Sequence, residues 1–133
     1  EPVEQSEWAG IGAMMAEERR DEAEATRLSR EAYSHLRMAW ERAVEEVLFQ
    51  GVVTRFTEGV STQRLKSVIV EDSDYDAIDA GMTKSSKFSG HDPAKSAQLA
   101  TPHPDDLRSD IDNLEAWRVA VEARKATVEA RRK

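Results

Sequence analysis

The stretch Leu36-Arg-Met-Ala-Trp40-Glu-Arg42-Ala-Val-Glu-Glu46-Val-Leu-Phe-Gln-Gly-Val-Val-Thr-Arg-Phe56 decides how this chain folds. Leu28, Ala32, Leu36, Trp40, Val44, Val47 and Leu48 recur every three or four positions and form the apolar stripe of a long helix. At about 100° per residue, His35, Met38, Arg42, Glu46 and Phe49 share a second face, roughly opposite Trp40. An ordinary solvated back face has no use for Met38 and Phe49, so this face is either a second packing surface or the wall of a site. Gly51 closes the helix just beyond Phe49.

On the N-terminal side, neither Gly nor Pro occurs between Ala13 and Gln50, so the polar residues 17–24 read as a solvated bridge inside one continuous helix. Further upstream, Ser6 is placed to cap a helix that carries Trp8, Ile11 and Met15 on one face. Downstream, Ser61 or Thr62 opens a short helix with Leu65, Val68 and Ile69. Residues 67–70 have strand propensity, but no other clear strand exists to pair with them. Asp72-Ser73-Asp74-Tyr75-Asp76 reads as a capping box that opens a helix running to about Lys84. A calcium loop starting at Asp72 fails, because Ala77 stands where Gly is needed and Thr83 where Glu is needed. Residues of about 85–104, rich in Ser, Gly and Pro, form one long exposed loop. Pro104 then starts a final helix with Leu107, Ile111, Leu114, Trp117, Val121 and Val128 as its stripe. The expected fold is all-α: a helical bundle of two long helices packed lengthwise, with shorter helices and that loop between them.

The 133 residues suffice for one domain with a modest core. A net charge of −7 argues against a generic electrostatic nucleic-acid binder, though local clusters such as Lys84, Lys87, His91 and Lys95 leave room for a local basic site. With no Cys and three scattered His, the chain offers no thiolate site and no structural zinc cluster. No segment has the apolar length of a membrane span, and the chain is expected in the cytoplasm. Phosphate-binding glycine loops, His-Glu-x-x-His and the nucleophile elbow are all missing, which excludes ATPase and metalloprotease chemistry in this chain by itself.

Arg42 and Glu46 stand one helical turn apart. Alone, such a pair is a surface ion pair. Joined by a His, it suits metal-free cleavage of an RNA phosphodiester by its own 2′-hydroxyl. In that chemistry His and Glu move protons, and Arg stabilises charge on the phosphorane-like transition state. Two histidines qualify: His91 from the loop and, as its rival, His35 on the same helical face. Around His91, Asp92 is placed to orient the imidazole, and Lys84 and Lys87 to contact phosphates. Trp40 and Trp117, each central on its stripe, are expected core partners.

Trp40-Glu-Arg-Ala-Val-Glu-Glu46, Val53-Thr-Arg-Phe56, Thr62-Gln-Arg-Leu65, Asp74-Tyr75, Gly81-Met-Thr-Lys84, His91-Asp92 and Pro102-His-Pro-Asp-Asp-Leu107, taken in order, resemble a known pattern. It is the C-terminal region of large bacterial ABC/AAA-type defence ATPases related to the PrrC/RloC anticodon nucleases. The resemblance spans residues of about 36–117. It implies that Arg42, Glu46 and His91 are the catalytic Arg-x-x-x-Glu pair and later His of a metal-independent ribonuclease toxin acting on tRNA anticodon loops in phage defence. The alternative it carries is a non-catalytic helical docking or oligomerisation module of such an ATPase. On either count residues 1–133 are expected to be one helical domain excised from the C-terminal part of a larger ATPase, with residues 1–30 as a projecting helical linker. The implied partners are the P-loop ATPase region of the same polypeptide, tRNA and a second copy of the chain. ATP and magnesium would belong to the ATPase region, and no cofactor or metal to this chain.

Overall fold

The structure, a computed structural model, describes residues 1–89 and 102–132. It is all-α, with no strand among the described residues. The central helix is α2 (Glu22–Ala43), capped by Asp21, whose Oδ1 accepts from the Glu24 amide at 3.1 Å. Its stripe buries Ala32, Leu36, Ala39 and Trp40 in the core that it shares with the last helix, α4 (Pro104–Arg131). All six residues of the α4 stripe are buried. The Trp40 and Trp117 rings meet at 5.4 Å, tilted by 36°. Each buried Leu or Ile in this seam contributes roughly 1.5–3 kcal/mol relative to exposure, and the aromatic pair somewhat more. His103 caps α4, its Nδ1 accepting from the Asp105 amide at 3.1 Å.

The N-terminal third departs from expectation. The polar run does not bridge one continuous helix. α1 (Pro2–Glu18) ends, Arg20 takes a left-handed φ of 59°, and Asp21 begins α2 anew. No glycine is needed, because the Asp21 cap and the burial gained when α1 folds back along α2 offset the modest strain at Arg20. Close approach requires small residues, and α1 turns Ser6, Ala9, Gly10, Ala13 and Ala16 inward. Ser6 is not the cap. Glu1 is, and the Ser6 Oγ donates instead to the Ala32 carbonyl at 2.8 Å across the helix pair. Trp8, Ile11 and Met15 therefore face solvent. Residues 1–30 pack into the bundle and do not project from it as a linker.

Between α2 and the next long helix lies a short 3-10 helix, Thr62–Ser67, so residues 67–70 form no strand pair. The Arg132 guanidinium ties this segment to α4 by donating to the Leu65 carbonyl at 2.9 Å and to the Val68 carbonyl. α3 (Asp72–Phe88) opens with a capping box in which Glu71 and Asp74 satisfy one another's backbone amides. Asp74 also reaches the core, where it accepts from Trp117 Nε1 at 3.0 Å and pairs with Arg124. The acidic run is thus structural. α3 continues past Lys84 because Ser85 is buried and Phe88 packs against Tyr33, ring centroids 5.6 Å apart. α3 therefore runs past residue 85, the expected start of the loop, and residues 90–101, most of the rest of that expected loop, lie outside the described residues.

α3 crosses α2 at Gly81, where an added Cβ would lie 2.2 Å from Trp40 Cε2. Gly81→Ala is expected to destabilise the fold by about 1–3 kcal/mol in urea titrations, overpacking outweighing the gain in helix propensity. For Asp74, burial opposes ionisation. Hydrogen bonds from Arg124, the Glu71 amide and Trp117 outweigh it and hold the carboxyl below its ordinary range. Its contribution is therefore present above the unfolded carboxyl pKa of about 3.9 and lost as pH falls through the lower folded value. Unfolding midpoints measured from pH 6 downward should show this acid loss, and Asp74→Asn should be less stable at pH 6 and lack that part of the slope.

Candidate functional site

Arg42 and Glu46 come together as the spacing requires, with Arg42 Nε 3.1 Å from Glu46 Oε1. Their side chains are 51% and 56% exposed, and each satisfies the other at the surface. His35 stands two turns earlier on α2, about 10 Å along the axis. Its Nε2 lies 3.7 Å from Glu31 Oε1, and its Nδ1 is buried without a hydrogen-bond partner. The fold does not converge His35 on the Arg42–Glu46 pair. His91 and Asp92 lie outside the described residues. Lys84 is engaged in structure, its Nζ 2.9 Å from Asp110, which also accepts from the Tyr33 hydroxyl at 2.5 Å. Burial and that carboxylate push the Tyr33 phenol well above its ordinary pKa, so it stays a donor. Lys87 rests 5.4 Å from the Phe88 ring centroid, half of an ordinary exposed cation–π pair.

The end of α2 carries a feature that helical projection does not show. Val44–Leu48 form a π-turn, in which the Phe49 amide donates to the Val44 carbonyl at 3.0 Å. One inserted residue rotates the positions after it back by about 100°. Phe49 thereby leaves the Met38–Arg42–Glu46 face and lines up with Glu41 and Glu45. With Val44, Val53, Ile78 and Met82 it lines an open groove of about 570 Å³ between the π-turn, the following loop and α3.

The loop that closes this groove is clasped by charge. The Arg55 amide and Nε donate to the two Glu45 oxygens at 2.8 and 2.9 Å, and Arg55 Nη1 lies 3.5 Å from Glu41. The hydrogen bond from the Arg55 amide, helped by the Arg55 side chain, holds the Glu45 carboxyl below its ordinary range against desolvation. Gln50, Gly51 and Phe56 take positive φ to make the bends, and the Ser61 amide closes the loop on the Val52 carbonyl at 2.8 Å. Phe56 is left fully exposed at the tip.

The charges that clasp the groove are therefore paired with one another, and its floor is apolar. Such a site binds by burying side chains and offers no free acid or base. No group of three His, Asp or Glu among the described residues is placed to hold a metal ion. Sequence reasoning does not single out Glu41, Glu45 and Arg55; the one signal for them is a carboxylate pair one turn apart followed by a cation ten residues later. No protein-family model, curated protein or solved structure matches the chain. No helix among the described residues is long and apolar enough to cross a membrane. The clasp predicts a local effect: Arg55→Ala should accelerate amide hydrogen exchange at residue 55 and at Ser61 several-fold, while exchange in the Trp40 and Trp117 segments stays unchanged.

Proposed function

We propose that this chain is a non-catalytic helical docking module, and that its groove receives apolar side chains from the P-loop ATPase region implied by the resemblance of its sequence to defence ATPases. The observation that supports this is the groove itself. Phe49 and Val53, 41% and 57% exposed, stand beside Ile78 and Met82 with a rim whose charges are already paired. An apolar floor exposed at such a place gains free energy when covered, at roughly 25 cal/mol per Å² removed from water. Rim ion pairs that are complete beforehand need no rearrangement on binding. The ribonuclease alternative needs an Arg42 and a Glu46 available to substrate, and these two are bonded to each other at the surface.

The two functions separate experimentally. The ATPase region supplied in trans should bind the chain, with Val53→Glu and Met82→Glu weakening binding at least tenfold and Arg42→Ala leaving it unchanged. Circular dichroism checks that the variants stay folded. Cleavage of tRNA by the wild-type chain, lost in Arg42→Ala or Glu46→Ala, would replace the docking function with the nuclease. Self-association that the groove variants abolish, without binding of the ATPase region, would make the occupant a second copy.

A further inference from the structure

The cations of this chain are unevenly paired. Arg27, Arg42, Arg55, Arg108, Arg118 and Arg124 each lie within ion-pair distance of a carboxylate. Arg64, Lys66 and Lys125 make no ion pair among the described residues, although the net charge is −7. They meet in one place, a polar pocket of about 350 Å³ that Gln50, Gln63, Ser67 and Glu129 also line. This pocket shares no lining residue with the apolar groove.

The fold builds the pocket from three separate segments. Arg64 and Lys66 come from the 3-10 helix, Lys125 from α4, and Gln50 from the turn after Phe49. Gln50 and Gly51 have φ of 52° and 68°, and the Gln50 side-chain amide donates to the Val47 carbonyl, which fixes the side chain. Arg64 lies directly over this turn, since a Cβ on Gly51 would come within 2.8 Å of its Nη1. The positive φ is what favours glycine there, since the guanidinium above it is the far end of a flexible side chain. On the other side, Arg132 holds the 3-10 helix through the Leu65 and Val68 carbonyls. The one acid in the lining, Glu129, accepts from the Ser67 hydroxyl.

We infer that this pocket is an oxyanion site for a ligand carrying neighbouring phosphate groups. Three cations without an ion pair, offset by the single carboxylate of Glu129 and with Gln63 beside them, match the several acceptor oxygens of linked phosphates, and Arg64 brings a planar fork suited to them. A single carboxylate brings one negative charge to the three cations, whereas linked phosphates bring several. The source can be a free compound such as pyrophosphate or the phosphodiester backbone of a nucleic acid, and both share this chemistry.

Calorimetric titration of the whole chain at low salt, with inorganic pyrophosphate in one arm and a single-stranded oligouridine in the other, tests the inference. Binding is expected in at least one arm and should weaken as salt rises. Arg64→Ala and Lys125→Ala should each weaken it by about tenfold, the loss of one charge-assisted hydrogen bond. Lys66→Ala, at an exposed position, gives a variant with no burden on folding. Arg118→Ala, which breaks a pair with Glu115 on the α4 surface, should leave binding intact. Pyrophosphate binding alone identifies a small phosphate ligand, and oligouridine binding alone a nucleic-acid backbone. Silence in both arms, or binding equally strong in Arg64→Ala and Lys66→Ala, would overturn the site. Neither outcome touches the docking groove, whose variants lie elsewhere.

Discussion

The contact between Trp40 and Trp117 sets the terms for much of the molecule. Two large rings at 5.4 Å require α3 to present Gly81 where it passes Trp40. A buried indole N–H requires an acceptor, and Asp74 supplies it at 3.0 Å. A buried carboxylate in turn requires a cation, and Arg124 reaches back from α4 to provide it. The capping box of α3, the crossing of α3 over α2 and the register of α4 are thus consequences of one aromatic pair. Removing Asp74 leaves the buried Trp117 N–H without its acceptor, and removing Arg124 leaves the buried carboxylate without its cation.

Away from that core, the disposition of charge separates three surfaces with different capacities. Arg42 and Glu46 pair with one another at the exposed surface, where such a pair contributes little to stability. Around the groove, Arg55 is shared by Glu41 and Glu45, so the loop is locked over an apolar floor. At the junction of the 3-10 helix with α4, the cations have no such partners and surround polar space. Docking at the groove and oxyanion binding at the junction are compatible, because neither draws on the residues of the other.

Much of this is legible in the sequence for a simple reason. The α4 stripe keeps the helical period through six buried residues. The burial of each Trp at the centre of its stripe follows from local spacing, as does a capping box at the start of α3, although the box opens at Glu71 and not within residues 72–76. The face carrying Arg42 and Glu46 is also visible, and so is their pairing. The end of α2 is not, because the π-turn depends on one backbone amide bonding five residues back instead of four. That choice moves Phe49 to another face. α1 misleads for a different reason: its large residues, Trp8, Ile11 and Met15, suggest the buried side. Burial goes to the small ones, since only they allow the helix axes to come close.

Sequence patterning is enough for the all-α class, the α4 stripe, the burial of Trp40 and Trp117 and the i,i+4 ion pair, since each depends on periodicities that act within a turn or two of helix. The reversal at Arg20, the groove built by Phe49, Val53, Ile78 and Met82, and the meeting of Arg64, Lys66 and Lys125 exist only in the assembled bundle. Those depend on which segments, distant in sequence, can approach one another, and that is set by side-chain volume and charge pairing across the whole fold.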